Sequence, residues 1–256
     1  MLDHGEDIRR GIELLKKYVK PDNFVFAIEN NKPQAIAAMK ELFADDPTMS
    51  IVELPSSYPQ GAKQMILYNA LGKVVYAGQR FATLGVIIIN VSTLAKVAKF
   101  MDTGMPLVDR VVTVDGSAIK EPKNLLVPIG TPYRYLVEAA GGLKCEPGRV
   151  VNGGPMMGHA VPSLDYPVLK TTGSVLVFSE ADSVTHEPTP CIHCGRCVNA
   201  CPLGLAAKDI VKAYDNGNVE LLQELNADLC MSCGTCSFVC PAKRPLAPSI
   251  ALAKIM

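Results

Sequence analysis

A duplicated cysteine run near the C-terminus constrains this chain more than any other feature. Cys191-Ile-His-Cys194-Gly-Arg-Cys197-Val-Asn-Ala-Cys201-Pro202 and Cys230-Met-Ser-Cys233-Gly-Thr-Cys236-Ser-Phe-Val-Cys240-Pro241 share the spacing C-x2-C-x2-C-x3-C-P. Nine cysteines occur in 256 residues; eight lie in these two runs and Cys145 stands apart. Averaged over the chain, that is far below the density of a disulfide scaffold. The N-terminal Met-Leu-Asp-His-Gly-Glu-Asp has neither the basic nor the apolar region of a secretory signal. The best apolar run, Gly85-Val-Ile-Ile-Ile-Asn90, is strand-sized and too short to span a bilayer. A reducing cytosol is the expected compartment, and there a dense cysteine cluster binds metal more often than it forms disulfides.

The spacing is that of bacterial two-cluster ferredoxins, in which the fourth cysteine of each run ligates the other cluster. Three thiolates two residues apart wrap one face of a cube, helped by the small Gly195 and Gly234. The fourth leaves in another direction, before a proline that turns the chain. This assigns Cys191, Cys194, Cys197 and Cys240 to one [4Fe–4S] cluster, and Cys230, Cys233, Cys236 and Cys201 to the second. Ile192, Val198, Met231 and Phe238 are expected to limit water near the sulfurs. The alternative is structural zinc on paired Cys-x2-Cys knuckles, which gains nothing from a third cysteine at the same spacing. His193 reads as a solvent-facing spacer and Cys145 as an ordinary semi-buried thiol. His4, His159 and His186 have no partner pattern.

Upstream, the hydrophobic period changes twice. Residues 3–19 carry Ile8, Ile12, Leu15 and Val19 on one helical stripe. Phe24–Ile28, Ser50–Leu54 and Gly85–Asn90 read as strands. Helices lie between them: one starting near Pro33, one over 61–71, and one capped by Ser92 and stopped near Gly104. Strands apolar on both faces alternating with helices predict a parallel sheet with covered faces. Next come a hairpin pattern, Arg110–Val114, Asp115-Gly116 and Asn124–Val127, and a helix from Thr131-Pro132 to Gly141-Gly142. Strand-like Arg149–Asn152 and Gly173–Phe178 complete a β-grasp-like pattern. Leu205–Leu225 is helical, broken near Asn216-Gly217. The expected architecture is multidomain α/β plus α+β: a partial α/β domain over 1–105, a β-grasp-like module over 106–182, and a mainly helical two-cluster domain over 183–256.

Other features exclude more than they assign. Lys plus Arg (25) balance Asp plus Glu (25), so no basic field points to nucleic acid. Neither G-x-G-x-x-G nor G-x-x-x-x-G-K-[ST] occurs. Asn152-Gly-Gly-Pro-Met-Met-Gly158 reads as a tight connection between strands, or as bare backbone approaching a ligand. Tyr58-Pro-Gln-Gly61 precedes a helix whose N–H groups suit an anion.

The order of these segments resembles the C subunit of the Rnf electron-transport complex, over essentially the whole chain. The likeness includes Tyr58-Pro-Gln-Gly61, Asn90-Val-Ser-Thr-Leu94, Gly153-Gly-Pro-Met-Met-Gly158 and the double cysteine run. That family is related to the flavin-bearing, NADH-binding subunit of respiratory complex I, and its central module to the soluble-ligand-binding β-grasp domain. The resemblance implies an oxidoreductase subunit relaying electrons between ferredoxin and NAD, peripheral on the cytoplasmic side of the bacterial membrane, with other Rnf subunits as partners and ferredoxin engaged indirectly. It also implies FMN and NADH as cofactors of the full-length protein, with Gly61, Lys63 and Asn90 as remnants of the FMN pocket. The family's glycine-rich flavin and NADH loop lies upstream of where this chain begins, so a complete nucleotide site is not expected within these residues. A soluble cobalamin reductase of the diol-utilisation type has similar architecture and is the alternative; a zinc-stapled, non-redox adaptor is the alternative of another class.

Overall fold

Ile8 and Ile12 form the buried face of α1 (Gly5–Tyr18), which follows a single 3-10 turn, with Leu15 partly buried. That face packs on α4 and on the strand β1. Val19, expected on the same stripe, lies past the helix end and is exposed. The computed structural model describes residues 1–256, which divide into two units, 1–106 and 107–256.

In the first unit, β1 (Phe24–Glu29) pairs in parallel with β2 (Met49–Leu54), joined through α2 (Pro33–Leu42), which begins on Pro33. Phe24, Phe26 and Ile28 enter a core with Ile8, Ile12, Ile36, Met39 and Leu94. Val25 is exposed, but Leu54 on the same face is buried, and the helix over residues 63–71 packs against both strands there. After α3 (Lys63–Leu71) the chain makes a 3-10 turn at Phe81–Leu84, and 86–90 adopts no regular structure. This corrects the expected third strand. Apolar composition supplies propensity, but a strand also needs a neighbour for its N–H and C=O groups, and β1 and β2 pair only with each other. The helix that follows, α4 (Val91–Thr103), ends at Gly104 as expected, but its cap is Asn90 rather than Ser92. Asn90 is extended, and its side-chain oxygen accepts the Ser92 N–H at 2.9 Å, the usual reach of an N-cap to the second helical residue.

The second unit contains two hydrophobic cores. One belongs to a five-stranded mixed sheet in the order β4-β3-β7-β5-β6. Its strands are β3 (Asp109–Asp115), β4 (Lys123–Pro128), β5 (Pro147–Asn152), β6 (His159–Val161) and β7 (Ser174–Ser179), with α5 (Tyr133–Ala139) packed on one face. Strands β3 and β7 are parallel and the other pairs antiparallel, a β-grasp arrangement. The β3–β4 connection starts at the expected Gly116 and is long enough for Ala118 and Ile119 to fold into the core with no exposed surface. Gly116 makes this possible. At φ +119° it lies so close to Val177 that a Cβ would sit 2.2 Å from the Val177 carbonyl oxygen. Pro132, not Thr131, occupies the cap position of α5. The Thr131 hydroxyl is engaged with the Pro128 carbonyl at 2.8 Å and so is turned away from the helix.

The other core lies under the cysteine runs. It is built from α7 (Ala207–Asp215), α8 (Val219–Glu224) and α10 (Leu246–Ala253), with one-turn helices α6 (Arg196–Asn199) and α9 (Thr235–Phe238). Ile210, Val211, Leu222, Leu246 and Ile250 form its centre.

Candidate functional site: two four-thiol cavities

The two cysteine runs repeat one backbone path. His193 and Ser232, two residues after each first cysteine, both have φ +55°. This sparsely populated conformation turns each N–H back toward the preceding thiol: His193 donates to Cys191 Sγ at 3.4 Å and Ser232 to Cys230 Sγ at 3.4 Å. Gly195 (φ +74°) and Gly234 (φ +82°) then start α6 and α9, which carry the third cysteines, Cys197 and Cys236. Amide–sulfur hydrogen bonds of this kind stabilise charge on a thiolate and tune any bound cluster.

The cysteine sets cross between the runs. Cys191, Cys194 and Cys197 share a cavity with Cys240, while Cys230, Cys233 and Cys236 share another with Cys201. In each cavity three thiols come from one run and the fourth from the end of the other. No three His, Cys, Asp or Glu side chains converge on a position for a single metal ion. The four thiols of each set surround a space, a donor set that suits an iron–sulfur cube.

The cavities differ in their surroundings. Lys208 and Arg244 line the first, and Cys194 is exposed. Lys208 is paired with Asp209 at 2.7 Å, and Arg244 lies 3.8 Å from Asp215. The second is lined by Leu203, Leu205, Met231, Ala247 and Ile250, with no charged side chain. Lys254 lies just outside, donating to the Cys230 carbonyl at 2.8 Å. Burial pushes the Cys230 thiol up and the Cys236 thiol up to about 11. With raised values these groups stay protonated at neutral pH until a cation displaces the proton, so cluster loading at this site releases protons.

An alkylation experiment on the cluster-free chain follows. At pH 8, Cys236 has roughly one thiolate per thousand molecules, whereas Cys145 and Cys194 are exposed. Peptide mass spectrometry after iodoacetamide is expected to show Cys145 and Cys194 modified first and Cys236 last. The Cys236 rate should climb steeply as pH rises toward 11; equal rates at all nine cysteines would contradict the burial seen here.

Two expectations about the surroundings of the thiols are corrected. Ile192 and Phe238 do not shield the sulfurs: they are 67% and 74% exposed. Met231, which occupies the position of Ile192 in the second run, is partly buried, so the difference comes from what packs against each run and not from the turn. Val198 and Met231 are partly buried as expected. Cys145 is exposed rather than semi-buried. Nothing in the sequence signalled Lys208, Arg244 or Lys254, whose placement depends on helices packing from elsewhere in the unit.

The Gly153–Gly158 loop reaches the second cavity's wall. A Cβ on Gly234 would lie 2.7 Å from the Met156 carbonyl oxygen, so backbone from the β-grasp module lies directly on the second cysteine run. The loop is thus the connection between β5 and β6, as one of the two readings had it.

In the first unit, Gly61 and Lys63 lie at the start of α3 and Asn90 at the start of α4; all three are exposed. Asn90 is accounted for as a helix cap. The α3 N-terminus has no side-chain cap. Beside it Gln60 is 3% exposed, its side-chain oxygen accepting from Asn69 at 2.8 Å while its Nε2 has no partner. A buried donor left unmet costs about 1–3 kcal/mol. An anionic or carbonyl-bearing ligand at this helix end would satisfy both the amide and the free N–H groups. Gln60 was legible only as part of the Tyr58–Gly61 stretch; its burial comes from packing.

Comparison with known proteins divides the chain in the same order. Family profiles match residues 1–99 as a Nuo51 FMN-binding domain, 111–160 as an SLBB domain and 187–244 as a 4Fe-4S dicluster domain. The C subunit of the proton-translocating ferredoxin:NAD(+) oxidoreductase complex of Clostridium ljungdahlii is 38% identical over 80% of this chain and 45% of its own length. Its Na(+)-translocating counterpart from Acetobacterium woodii is 36% identical over 99% of this chain and 57% of its own. The C subunit of the ion-translocating oxidoreductase complex of Yersinia pestis is 35% identical over 82% and 34%. The chain thus spans about half the length of the curated relatives it matches. A chain of the NAD+-reducing [NiFe]-hydrogenase in the H2-reduced state superposes with TM-score 0.63 at 16% identity, covering 98% of this chain and 50% of that one; this likeness concerns fold alone.

Proposed function

Since the chain belongs to the family of Rnf C subunits, related to the FMN-binding subunit of complex I, we propose that it is the iron–sulfur relay of a ferredoxin:NAD oxidoreductase. In this reading two [4Fe–4S] clusters are held by Cys191, Cys194, Cys197 and Cys240, and by Cys230, Cys233, Cys236 and Cys201. The observation that carries it is the pair of cavities in which each cysteine run completes the other's set of four thiols.

When bound, such clusters supply reversible one-electron capacity within a range of hundreds of millivolts. The chain supplies position and environment. Crossed ligation ties the two sites to one rigid unit, because Cys201 and Cys240 each close the other run's site. The His193 and Ser232 amides stabilise sulfur charge. The apolar walls of the second cavity exclude water. No acid or base is needed, since electron relay moves no heavy atom. FMN belongs to the same reading. Gln60 Nε2 and the open start of α3 offer donors to a nucleotide phosphate or ring carbonyl. Gly61 leaves the approach clear, since a Cβ there would have no atom within 4 Å. Ferredoxin, NAD(H) and the other subunits of a membrane-attached complex are the partners it implies. No helix of the chain is long and apolar enough to cross a membrane; in this reading it works at the cytoplasmic face of that complex.

Anaerobically prepared protein is expected to contain about eight iron and about eight labile sulfide per chain, with paramagnetic signals of reduced [4Fe–4S] clusters after dithionite. Zinc without iron or sulfide would overturn the redox reading.

A further inference from the structure

Among the positions where the two cysteine runs differ, three meet at one place. Aligned cysteine by cysteine, Arg196 corresponds to Thr235, Phe238 to Asn199 and Lys243 to Gly204. Arg196, Phe238 and Lys243 line a single open groove of about 600 Å³, whose floor includes Cys240 and Pro241. Cys240 also lines the first four-thiol cavity, so the groove lies directly beside that site.

Each of the three is disposed outward. Phe238 is 74% exposed, a cost a solvent-facing aromatic does not recover within the chain. Arg196 and Lys243 are exposed, and neither forms an ion pair or side-chain hydrogen bond. No carboxylate lines the groove. Lys243 is held at φ +53°, a conformation costly for any side chain, whereas its counterpart Gly204 takes φ +66° freely. A glycine would serve the turn better, so the lysine costs backbone strain while adding a charge at the groove. Exposed Ile192 extends the apolar surface on the other side of the same cavity.

We propose that this groove is the docking face for the acidic side of a one-electron carrier protein, which makes the first site the terminal where electrons enter or leave this unit. An apolar anchor flanked by unpaired cations is the pattern of a transient interface that steers an oppositely charged partner and releases it. In the exchange the reduced carrier loses one electron and the cluster gains it, or the reverse; no bond is made or broken and no proton moves. The proposal rests on the cluster reading given above.

The test uses the full chain with clusters reconstituted and oxidised, mixed anaerobically with a dithionite-free, reduced, strongly acidic two-cluster ferredoxin as probe, followed by stopped-flow absorbance. The wild-type bimolecular rate is expected to fall steeply with ionic strength. Lys243→Glu should lower it at low salt by roughly tenfold or more and flatten the salt dependence, and Phe238→Ser should lower it at all salt concentrations. Lys243→Gly should also slow docking while leaving thermal stability equal or higher, which a merely structural lysine would not do. Dithionite reduction and the spectra of the clusters should be unchanged in the Lys243 variants. A wild-type rate in Lys243→Glu, or a salt-independent wild-type rate, would overturn the proposal. So would concentration-dependent dimerisation abolished by Phe238→Ser, which would give the groove to a second copy of the chain. Absence of cluster spectra in the wild type would instead bring down the cluster reading on which the proposal stands.

Discussion

Exchanging Cys201 for serine is expected to destroy the cluster whose other three ligands begin 29 residues downstream, and to leave the one formed by its own run. Reduced Cys201→Ser protein should lose about half of its iron and sulfide, with the remaining paramagnetic signal that of the first site. Cys240→Ser should give the complementary spectrum. The expectation follows from the two cavities: Cys201 lines the one shared with Cys230, Cys233 and Cys236, and Cys240 the one shared with Cys191, Cys194 and Cys197. A hydroxyl in place of a thiolate is a poor ligand for this cluster type, so the effect approaches all-or-none at one site. If Cys201→Ser removed the first site's signal and spared the second, ligation would be local to each run and the crossed arrangement wrong.

Gly234→Ala is expected to cost far more than Gly195→Ala, although the two glycines occupy equivalent places in the duplication. Both hold positive φ, +82° and +74°, and a Cβ in that conformation costs about 1–2 kcal/mol. For Gly195 that is the whole effect, since nothing lies within 4 Å of its Cβ position. At Gly234 the added methyl would also meet the Met156 carbonyl oxygen at 2.7 Å, and backbone cannot swing aside as a side-chain tip can. Together these amount to about 3 kcal/mol or more, a fall of roughly 6–12 °C in Tm for a unit of this size. The displaced Gly153–Gly158 loop should also open the second cavity, so the second cluster should bleach faster in air than in Gly195→Ala. Equal melting temperatures for the two variants would show that the loop does not bear on the cysteine run.

The contrast between these glycines shows where the sequence stops being legible. Gly195 and Gly234 look identical in their runs, and only the approach of a loop from far upstream in the chain distinguishes them. Local chemistry was readable: the stripe of α1, Pro33 opening α2, Gly104 ending α4, and the break between α7 and α8 all depend on residues within a turn or two. The expected strand at Gly85–Asn90 failed because pairing is a property of two segments, and one apolar run carries no information about its neighbour. Asn90 and Ser92 are both good caps; which one serves depended on a single extended dihedral. Ile192 and Phe238 read as shielding because they are apolar, yet both are exposed, while Met231, at the position of Ile192 in the second run, is partly buried; packing from elsewhere decides which apolar residue is covered.

By itself, the sequence determined which thiols the fold brings together. Eight cysteines at C-x2-C-x2-C-x3-C-P spacing specify two four-thiol sets, because covalent geometry limits which thiols within a run can face one point and forces the fourth elsewhere. The tertiary structure alone decided how the two sites differ. Cations and open surface border one, and apolar side chains with backbone from another module enclose the other, since charge environment and burial arise from segments distant in the chain and are encoded in no single run of residues.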